Sequence, residues 1–523
     1  MYILNEEDLQ EQIKQRRIAL FLWDIFSSAE YPFLVAELAE RIKNGGGSLV
    51  LITKNYIDEP IINQVLMHAS MKDKRKAINS YYLHLEEKLH VKVIVLDDQL
   101  RCPEDKKMIA QLRNFNQIAT FNPELYLSMK SLWLSKNQIT LKNEHISRRL
   151  EKSFRLDLVR YCDSLGIAQS QIRNSDFDLI LVPNGRLPIE IAVKHAAVEF
   201  DKRFLFFERG FAGTKKIFLQ EFQTHDISRM NEYFELLASE LSFSEVKNAS
   251  MWSEQWLERQ HEQSGSNQFF DLKRSVRLKV DYKDNLVPIF TSSIDERFSN
   301  LTYDLNGWSS PTEACVQFYT WLLENDMSPV IRIHPNAGWK SWRELLELVA
   351  AFEKNAVKFI LPWENPSSYE LIEYAKFVVT WGSTLSLESL ARGIKTMNLG
   401  PSRFDSLARI KLVSKEDCER FRLAEIPEPD TTRAHLAIYL TRNHGVGSKS
   451  YTWIQDLTDA CKPSAVQAKV NIFCQMTKNL ICCLIFPLTN RPNDIFIPLK
   501  KVLGYKIAGF LMYRIMRCIK FLT

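Results

Sequence analysis

The sequence predicts an α/β protein with two Rossmann-like, doubly wound domains that face a cleft, followed by a basic amphipathic C-terminal tail. Short apolar runs alternate with helical patterns along the chain, and the segment Ser264–Asn267 (SGSN) divides this alternation into two series. Hydrophobic residues make up 46% of the 523 residues, which excludes a disordered chain and suits several domains of about 150 residues each. We therefore expect an N-terminal domain at 1–265, a second domain at 266–450 and a tail at 451–523.

The first series predicts a parallel sheet with helices on both faces, because its strand patterns are separated by helical ones. A run of three glycines, Gly45–Gly47, ends the first helical pattern. The predicted strands are 17–23, 49–53, 91–96, 178–182 and 203–207, and the predicted helical stretches are 31–43, 122–170, 188–200 and 226–263.

The second series repeats the same alternation with shorter spacings, which predicts a second doubly wound sheet. No repeat of 20 to 50 residues relates the two series. Its predicted strands are 286–291, 329–333, 357–361, 377–380 and 395–399, and its predicted helices are 312–324, 339–354, a short one from 367, and 385–393.

Polar residues follow the strands of the second series, where ligands bind in open α/β sheets. Gly382 allows close approach, Ser383 and Thr384 can hold a phosphate, and Glu388 can accept two hydrogen bonds from a ribose diol. Each residue also has an ordinary structural interpretation, such as a satisfied histidine, a helix N-cap or a solvated carboxylate. The candidates at this edge are Ser292, Ser293, Arg332, His334, Pro335, Gly382, Ser383, Thr384 and Glu388.

Three segments carry a resemblance: SSIDE after Thr291, RIHP at Arg332–Pro335, and the stretch from Glu364 to Gly400 that contains WGST. Together they resemble the C-terminal domain of GT-B glycosyltransferases of bacterial capsule and surface polysaccharide synthesis. That group includes the Kdo transferases and, more remotely, the sialyltransferases with a His-Pro motif. The resemblance implies a CMP-activated acidic sugar as donor. It assigns His334, Pro335, Ser383 and Thr384 to the donor phosphate and Glu388 to the ribose.

The resemblance extends into the first series and covers about 178–400. PNGR (Pro183–Arg186) is similar to the group's Asn-Gly-Arg turn, and FFERG (Phe206–Gly210) is similar to its acidic-Gly motif, although Arg209 separates the acid from the glycine. The remaining candidates for acceptor or sugar binding are Asn184, Gly185, Arg186, His225 and Asp226.

Glycosyl transfer requires stabilisation of the leaving phosphate and deprotonation of an acceptor hydroxyl. We expect His334 and Arg332 to neutralise the phosphate, the neighbouring hydroxyls to hydrogen-bond it, and Glu208 to act as general base. Arg186 could bind the carboxylate of an acidic sugar. The alternative for Glu208 is a surface ion pair with Arg209, and the alternative for His225 and Asp226 is the start of a helix.

We expect no cofactor and no metal. The nine cysteines form no CxxC pair and no metal-ligand spacing, which also favours a reducing, cytoplasmic compartment. The sequence Asp176–Asp178 (DFD) precedes its strand, and Asp97 and Asp98 end a strand outside the resembling region. The prediction is therefore a metal-independent transferase.

Charge is concentrated in the tail. Residues 465–523 contain six Lys, three Arg and one acid, Asp494, so this segment has a net charge of +8. Because the whole chain has a net charge of +5, the first 464 residues have a net charge of −3. Leu480–Leu488 is too short to span a bilayer. The last 22 residues suit an interfacial helix whose cations lie near anionic headgroups: Lys506, Arg514, Arg517 and Lys520. The alternative is a helix docked on its own domain.

This charge distribution predicts an anionic membrane surface as partner and no nucleic acid. The N-terminal MYILNEEDLQEQ is acidic and has no apolar core, so a signal peptide is not expected. The predicted location is the cytoplasm, peripheral on the inner face of the cytoplasmic membrane. Two other functions stay open: a CDP-glycerol-type glycerophosphotransferase, and a catalytically silent GT-B scaffold in polysaccharide assembly.

Overall fold

The structure is a computed structural model that describes residues 6–22, 31–54, 71–96, 118, 122–135, 148–209, 216–223, 226–262, 285–292, 305–334, 337, 342–362, 364, 366–418, 420–443 and 446–447. The predicted tail at 451–523, the boundary near 265, His225, Ser293 and Pro335 lie outside these residues.

The first sheet has seven strands in the order β13-β6-β5-β4-β1-β2-β3. Strands β1 to β5 run parallel to one another, whereas β6 runs antiparallel to β5 and β13 runs antiparallel to β6. The strands are β1 (Arg17–Phe21), β2 (Ser48–Lys54), β3 (Lys92–Leu96), β4 (Leu179–Pro183), β5 (Phe204–Arg209), β6 (Lys216–Gln220) and β13 (Val446–Gly447).

The sequence prediction did not include β6 or β13. An antiparallel neighbour needs only a short connection, so no crossover helix marks the presence of β6 in the sequence.

Helices cover both faces of this sheet. Along β1, Ile18 and Leu20 pack into one core, and Ala19 and Phe21 pack into the other, because successive side chains of a strand point to opposite faces. All four are fully buried. The helices are α1 (Glu6–Ile13), α2 (Tyr31–Asn44), α3 (Met71–Leu89), α4 (Pro123–Ser135), α5 (Arg148–Arg173) and α6 (Pro188–Glu199).

The second sheet has six strands, all parallel, in the order β12-β11-β10-β7-β8-β9. Separate hydrophobic cores lie on its two faces, so the predicted fold class, two doubly wound α/β domains, is confirmed. Its strands are β7 (Leu286–Phe290), β8 (Ser328–Arg332), β9 (Phe359–Ile360), β10 (Val378–Thr380), β11 (Thr396–Asn398) and β12 (Lys411–Leu412). Its helices are α9 (Pro311–Glu324), α10 (Trp342–Lys354), α11 (Ser368–Glu373), α12 (Leu385–Ala391), α13 (Asp405–Ala408) and α14 (Lys415–Cys418).

A third helical group joins the two halves of the chain. Helices α7 (Ile227–Glu240) and α8 (Phe243–Glu262) precede the predicted boundary, yet they share a hydrophobic core with α12, α13 and α15 (Thr431–Asn443). The rings of Trp252 and Tyr439 meet edge to face across this core, with centroids 5.7 Å apart. The chain then returns to the first sheet through β13.

Among the residues that the structure describes, no helix combines the length and the apolar composition that a membrane span requires.

Candidate functional site

Three neighbouring strands of the second sheet end at the same level. Phe290, the last residue of β7, is in register with Arg332 of β8 and with Thr380 of β10. The N–H of Trp381 donates to the carbonyl of Phe290 at 3.0 Å, which continues the ladder beyond β10. Because neighbouring strands lie about 4.8 Å apart, the residues that follow these strands emerge within about 10 Å of one another.

The residues at this level carry hydroxyl and imidazole groups. The N–H of His334 donates to Thr291 Oγ1 at 2.8 Å, which ties the ends of β8 and β7 together. His334 and Ser292 are half-buried, so both remain accessible at the edge. We call this group, Thr291, Ser292, His334 and Gly382–Thr384, the second-sheet edge.

The turn Gly382–Thr384 leads from β10 into α12. Gly382 adopts a left-handed φ of 59°, and the N–H of Ser383 donates to Thr380 Oγ1 at 3.0 Å. Ser383 Oγ accepts from the N–H of Leu385, the first residue of α12, at 3.3 Å, whereas the N-cap position is Thr384. Thr384 makes no side-chain cap and lines a pocket. Of the two predicted hydroxyls, Thr384 is the one exposed to that pocket.

Glu388 lies at the wall of the same pocket and is only 5% exposed. Burial raises the pKa of Glu388, and the charges of Arg442 and Arg392 and a hydrogen bond from the Tyr369 hydroxyl at 2.7 Å oppose that rise. The solvated-carboxylate alternative is therefore wrong. Sequence reasoning did not find Tyr369, because it lies 19 residues before Glu388 and no local pattern links the two.

Arg332 requires a correction. Its side chain is 1% exposed, and its guanidinium donates to the carbonyls of Leu361 and, at 3.3 Å, of Pro362. The residues just after β9 need donors for these carbonyls, and Arg332 supplies them. Its predicted contact with a donor phosphate is replaced by this structural role.

The first sheet has its own polar turn, the NGR turn, Asn184–Arg186, which follows β4. Asn184 and Gly185 both have left-handed φ angles, 44° and 75°. The Asn184 N–H donates to the Phe207 carbonyl at 2.8 Å, and Asn184 Nδ2 donates to Glu208 Oε2 at 2.5 Å. A Cβ at Gly185 would lie 2.3 Å from the Phe206 ring, so only glycine fits. The turn thus holds the half-buried Glu208 carboxylate in place.

Glu190 is a further residue of this site that sequence reasoning missed. Its Oε2 accepts from the N–H groups of Arg186 and Leu187, both at 2.9 Å, and the residue is 6% exposed. Burial raises the pKa of Glu190 to about 8, against the lowering effect of these hydrogen bonds, while the nearby charge of Glu208 adds to the rise. A Glu three residues into a helix that begins with Pro is the signal that could have found it.

A second polar cluster lies beside α6. Lys194 Nζ and His195 Nε2 contact the two carboxylate oxygens of Glu124 at 2.5 and 3.1 Å, and His195 Nδ1 lies 2.8 Å from the Tyr161 hydroxyl. Burial would raise the pKa of Glu124, but the hydrogen bonds and charges of these two partners lower it overall. The cluster ties α4 and α5 to α6, and no motif in the sequence predicts it.

Asp226 has the ordinary role that the sequence allowed as the alternative. It is the N-cap of α7, and its carboxylate accepts from the Arg229 N–H at 3.1 Å. Asp178, the second acid of DFD, likewise accepts from the Arg17 N–H at 2.7 Å, directly before β4. Within the described ranges, no three metal-ligating side chains form a group. Metal independence stays a prediction.

No family model matches the chain, and no curated protein matches it. Solved structures that it resembles include KpsC of Thermosulfurimonas dismutans, a beta Kdo 2,7 transferase, at 15% identity and a TM-score of 0.34, with 57% of this chain and 90% of that chain covered. KpsC of the same organism as a beta Kdo 2,4 transferase is 14% identical, with a TM-score of 0.35 and coverages of 54% and 87%. The UDP-GlcNAc 2-epimerase of Neisseria meningitidis bound to UDP-GlcNAc is 13% identical, with a TM-score of 0.25 and coverages of 81% and 98%. All three TM-scores are low, so function has to be inferred from the geometry of this chain itself.

Proposed function

We propose that this protein is a glycosyltransferase that binds a nucleotide-activated sugar at the second-sheet edge and activates an acceptor hydroxyl with Glu208. One observation carries the proposal: β8, β7 and β10 end at the same level. His334 therefore lies beside the hydroxyl groups that follow the other two strands. A phosphate at this edge would meet several donors at once.

The donor half of the reaction needs groups that stabilise the negative charge developing on the leaving phosphate. The His334 imidazole supplies a cationic or neutral N–H donor, and Ser292 and Thr384 supply hydroxyl donors. The residue after His334, Pro335, lies outside the described residues, so its role and that of Ser293 stay predictions. Glu388 is assigned to the ribose by the sequence resemblance alone, because the pocket that it lines has room for about one water molecule.

The acceptor half needs a base that is ionised and held in position. Asn184 Nδ2 donates to the Glu208 carboxylate and holds it in position, which supports Glu208 as that base. Arg186, at the end of the NGR turn, is the candidate partner for a carboxylate on an acidic sugar. The donor would then be a CMP-activated acidic sugar such as Kdo or a nonulosonic acid, as the sequence resemblance implies.

The acceptor in this proposal is a surface polysaccharide or a glycolipid at the inner face of the cytoplasmic membrane. The basic, apolar tail at 451–523 supports this location through its local charge of +8 between residues 465 and 523, which favours anionic headgroups. The tail lies outside the described residues, so this location stays a prediction.

A nucleotide-binding experiment tests the proposal. Wild-type protein, His334→Ala and the control His84→Ala are titrated with CMP, CDP, UDP and GDP by calorimetry and thermal shift, without added metal. His84 is a half-buried histidine of α3, in the first sheet's helical layer. We expect CMP to bind best, and only His334→Ala to lose it.

Two other outcomes change the conclusion in different ways. A preference for UDP or GDP that still requires His334 would keep glycosyl transfer and overturn the CMP donor. An absence of binding by every nucleotide would overturn the transferase and favour a silent scaffold.

A further inference from the structure

We propose that Glu190 is a positioning residue: by holding the backbone of the NGR turn, it fixes Asn184 and thereby aims the carboxylate of Glu208. Its effect on catalysis rests on the proposed function, whereas its effect on the turn does not.

The geometry of the turn supports this inference. Glu190 accepts from the backbone N–H groups of Arg186 and Leu187 at 2.9 Å each, and Ser128 Oγ on α4 donates to the carbonyl of Arg186 at 2.7 Å. The other end of the turn is held by the Asn184 N–H on the Phe207 carbonyl at 2.8 Å. The turn is therefore fixed from three elements, α6, α4 and β5.

The Asn184 side chain connects the turn to the proposed base. Asn184 reaches Glu208 Oε2 from a left-handed backbone conformation, φ 44°, which a residue other than glycine adopts only where the surroundings enforce it. Release of the two N–H groups held by Glu190 would free the turn to leave that conformation. The Asn184 side chain would then lose its direction toward Glu208.

Comparison with another capping carboxylate separates positioning from ordinary helix capping. Glu245 occupies the same place in α8: it accepts from the N–H and the hydroxyl of Ser242 at 2.8 and 2.6 Å, and it is exposed. Glu190 is buried, and its hydrogen bonds reach a turn that contacts a second carboxylate. A plain cap needs neither the burial nor the second carboxylate.

Both N–H bonds end on the same oxygen of Glu190, which matters for the choice of variants. A glutamine carbonyl oxygen can accept both bonds in the same way, so Glu190→Gln keeps the turn. Alanine leaves both N–H groups without this acceptor. The raised pKa of Glu190 agrees with a neutral group at this position, which glutamine matches in charge.

The first experiment measures transfer kinetics for wild type, Glu190→Gln, Glu190→Ala and the control Glu245→Ala. We expect Glu190→Ala to lower kcat about 100-fold with an unchanged donor KM, since a misplacement of about 1 Å costs that much. Glu190→Gln should restore kcat, and Glu245→Ala should lose stability alone. Equal kcat in Glu190→Ala and Glu245→Ala, or no rescue by Glu190→Gln, would overturn the inference.

The second experiment needs no activity. Hydrogen exchange is followed in peptides that contain Arg186 and Leu187, and crystal structures of the two Glu190 variants are determined. We expect faster exchange and a broken Asn184–Glu208 hydrogen bond in Glu190→Ala only. An intact bond in Glu190→Ala would overturn the inference, whereas a broken bond in a protein without transferase activity would overturn only the proposed function.

Discussion

The NGR turn of the first sheet and the second-sheet edge occupy equivalent places, at the carboxyl ends of parallel strands, yet they are built in opposite ways. The NGR turn is held by side chains, with Asn184 and Glu190 bonded to their neighbours and two carboxylates close together. The second-sheet edge is held mainly by backbone and hydroxyl groups, such as Thr291 Oγ1 with the His334 N–H.

This difference teaches what each edge can do. Two carboxylates close together raise each other's proton affinity, so Glu190 and Glu208 give the NGR turn groups that suit proton transfer. Hydroxyl and imidazole donors follow the described strand ends of the second sheet, and such donors suit an anion. In the proposed reaction, the carboxyl end of the first sheet therefore serves the acceptor half and that of the second sheet serves the donor half, according to the residues that follow their strands.

The largest expected effect comes from Glu208→Gln. The amide oxygen of the substituted side chain can still accept from Asn184, so the variant removes the base and keeps the geometry, and kcat should fall about 1000-fold with unchanged CMP affinity. The measurement is steady-state transfer together with nucleotide titration, with the exposed Glu232→Gln on α7 as control. Full activity in Glu208→Gln would show that the proton-transfer half of the comparison is wrong.

Gly185→Ala tests how tightly the NGR turn is packed. The left-handed φ of 75° and the 2.3 Å approach to Phe206 together should cost about 3 kcal/mol of unfolding free energy. Gly46→Ala is the matched control, since its φ is 74° and its nearest neighbour would be 3.8 Å away, and it should cost only about 1 kcal/mol. Urea unfolding measures both, and equal losses would contradict the packing argument.

The pH dependence of stability tests the buried carboxylate. Because the pKa of Glu190 is about 8 in the folded protein against an ordinary value of 4.5, its contribution to stability is complete below pH 4.5 and is lost as pH rises through 8. Relative to Glu190→Gln, wild type should therefore lose at most about 1.4 kcal/mol per pH unit across that interval. The charges that bear on Glu190 are those of Arg186 and Glu208.

For Glu245, the pH dependence of the contribution to stability has the opposite sign. Its hydrogen bonds with Ser242 lower its pKa, so its contribution is lost only as pH falls through that lowered value. Wild type and Glu245→Gln should therefore keep a constant difference in stability over the interval in which Glu190 titrates. If the stability of wild type and that of Glu190→Gln changed in parallel over this pH interval, Glu190 would be ionised in the folded protein.

The smallest effect is expected beside the second-sheet edge, at the pocket that Thr384 and Glu388 line, from Tyr369→Phe. Loss of the hydroxyl bond to buried Glu388 should weaken nucleotide binding by about 1 kcal/mol, roughly fivefold in Kd. Calorimetric titration measures this change. Tyr374→Phe, in the same segment but 60% exposed, should bind as wild type does, and an equal loss in both variants would remove Glu388 from the site.

Local patterns predicted most of the fold and part of the site. The apolar runs at β1 and β7 and the glycine after Asn184 appear where expected, because strand composition and turn residues act over a few positions. The sequence also placed Glu208 and His334 at strand ends. It did not predict β6, the buried position of the Arg332 side chain, or the hydrogen bonds between Glu190 and the NGR turn.

By itself, the sequence determined the alternation of strands and helices and the types of side chain at the strand ends, since both depend on neighbours along the chain. Only the tertiary structure decided which of those side chains meet. Asn184 and Glu208 are 24 residues apart, and Ser128 and Arg186 are 58 apart. Their contacts depend on strand order and helix packing, because hydrogen bonds require positions that only the assembled sheet provides.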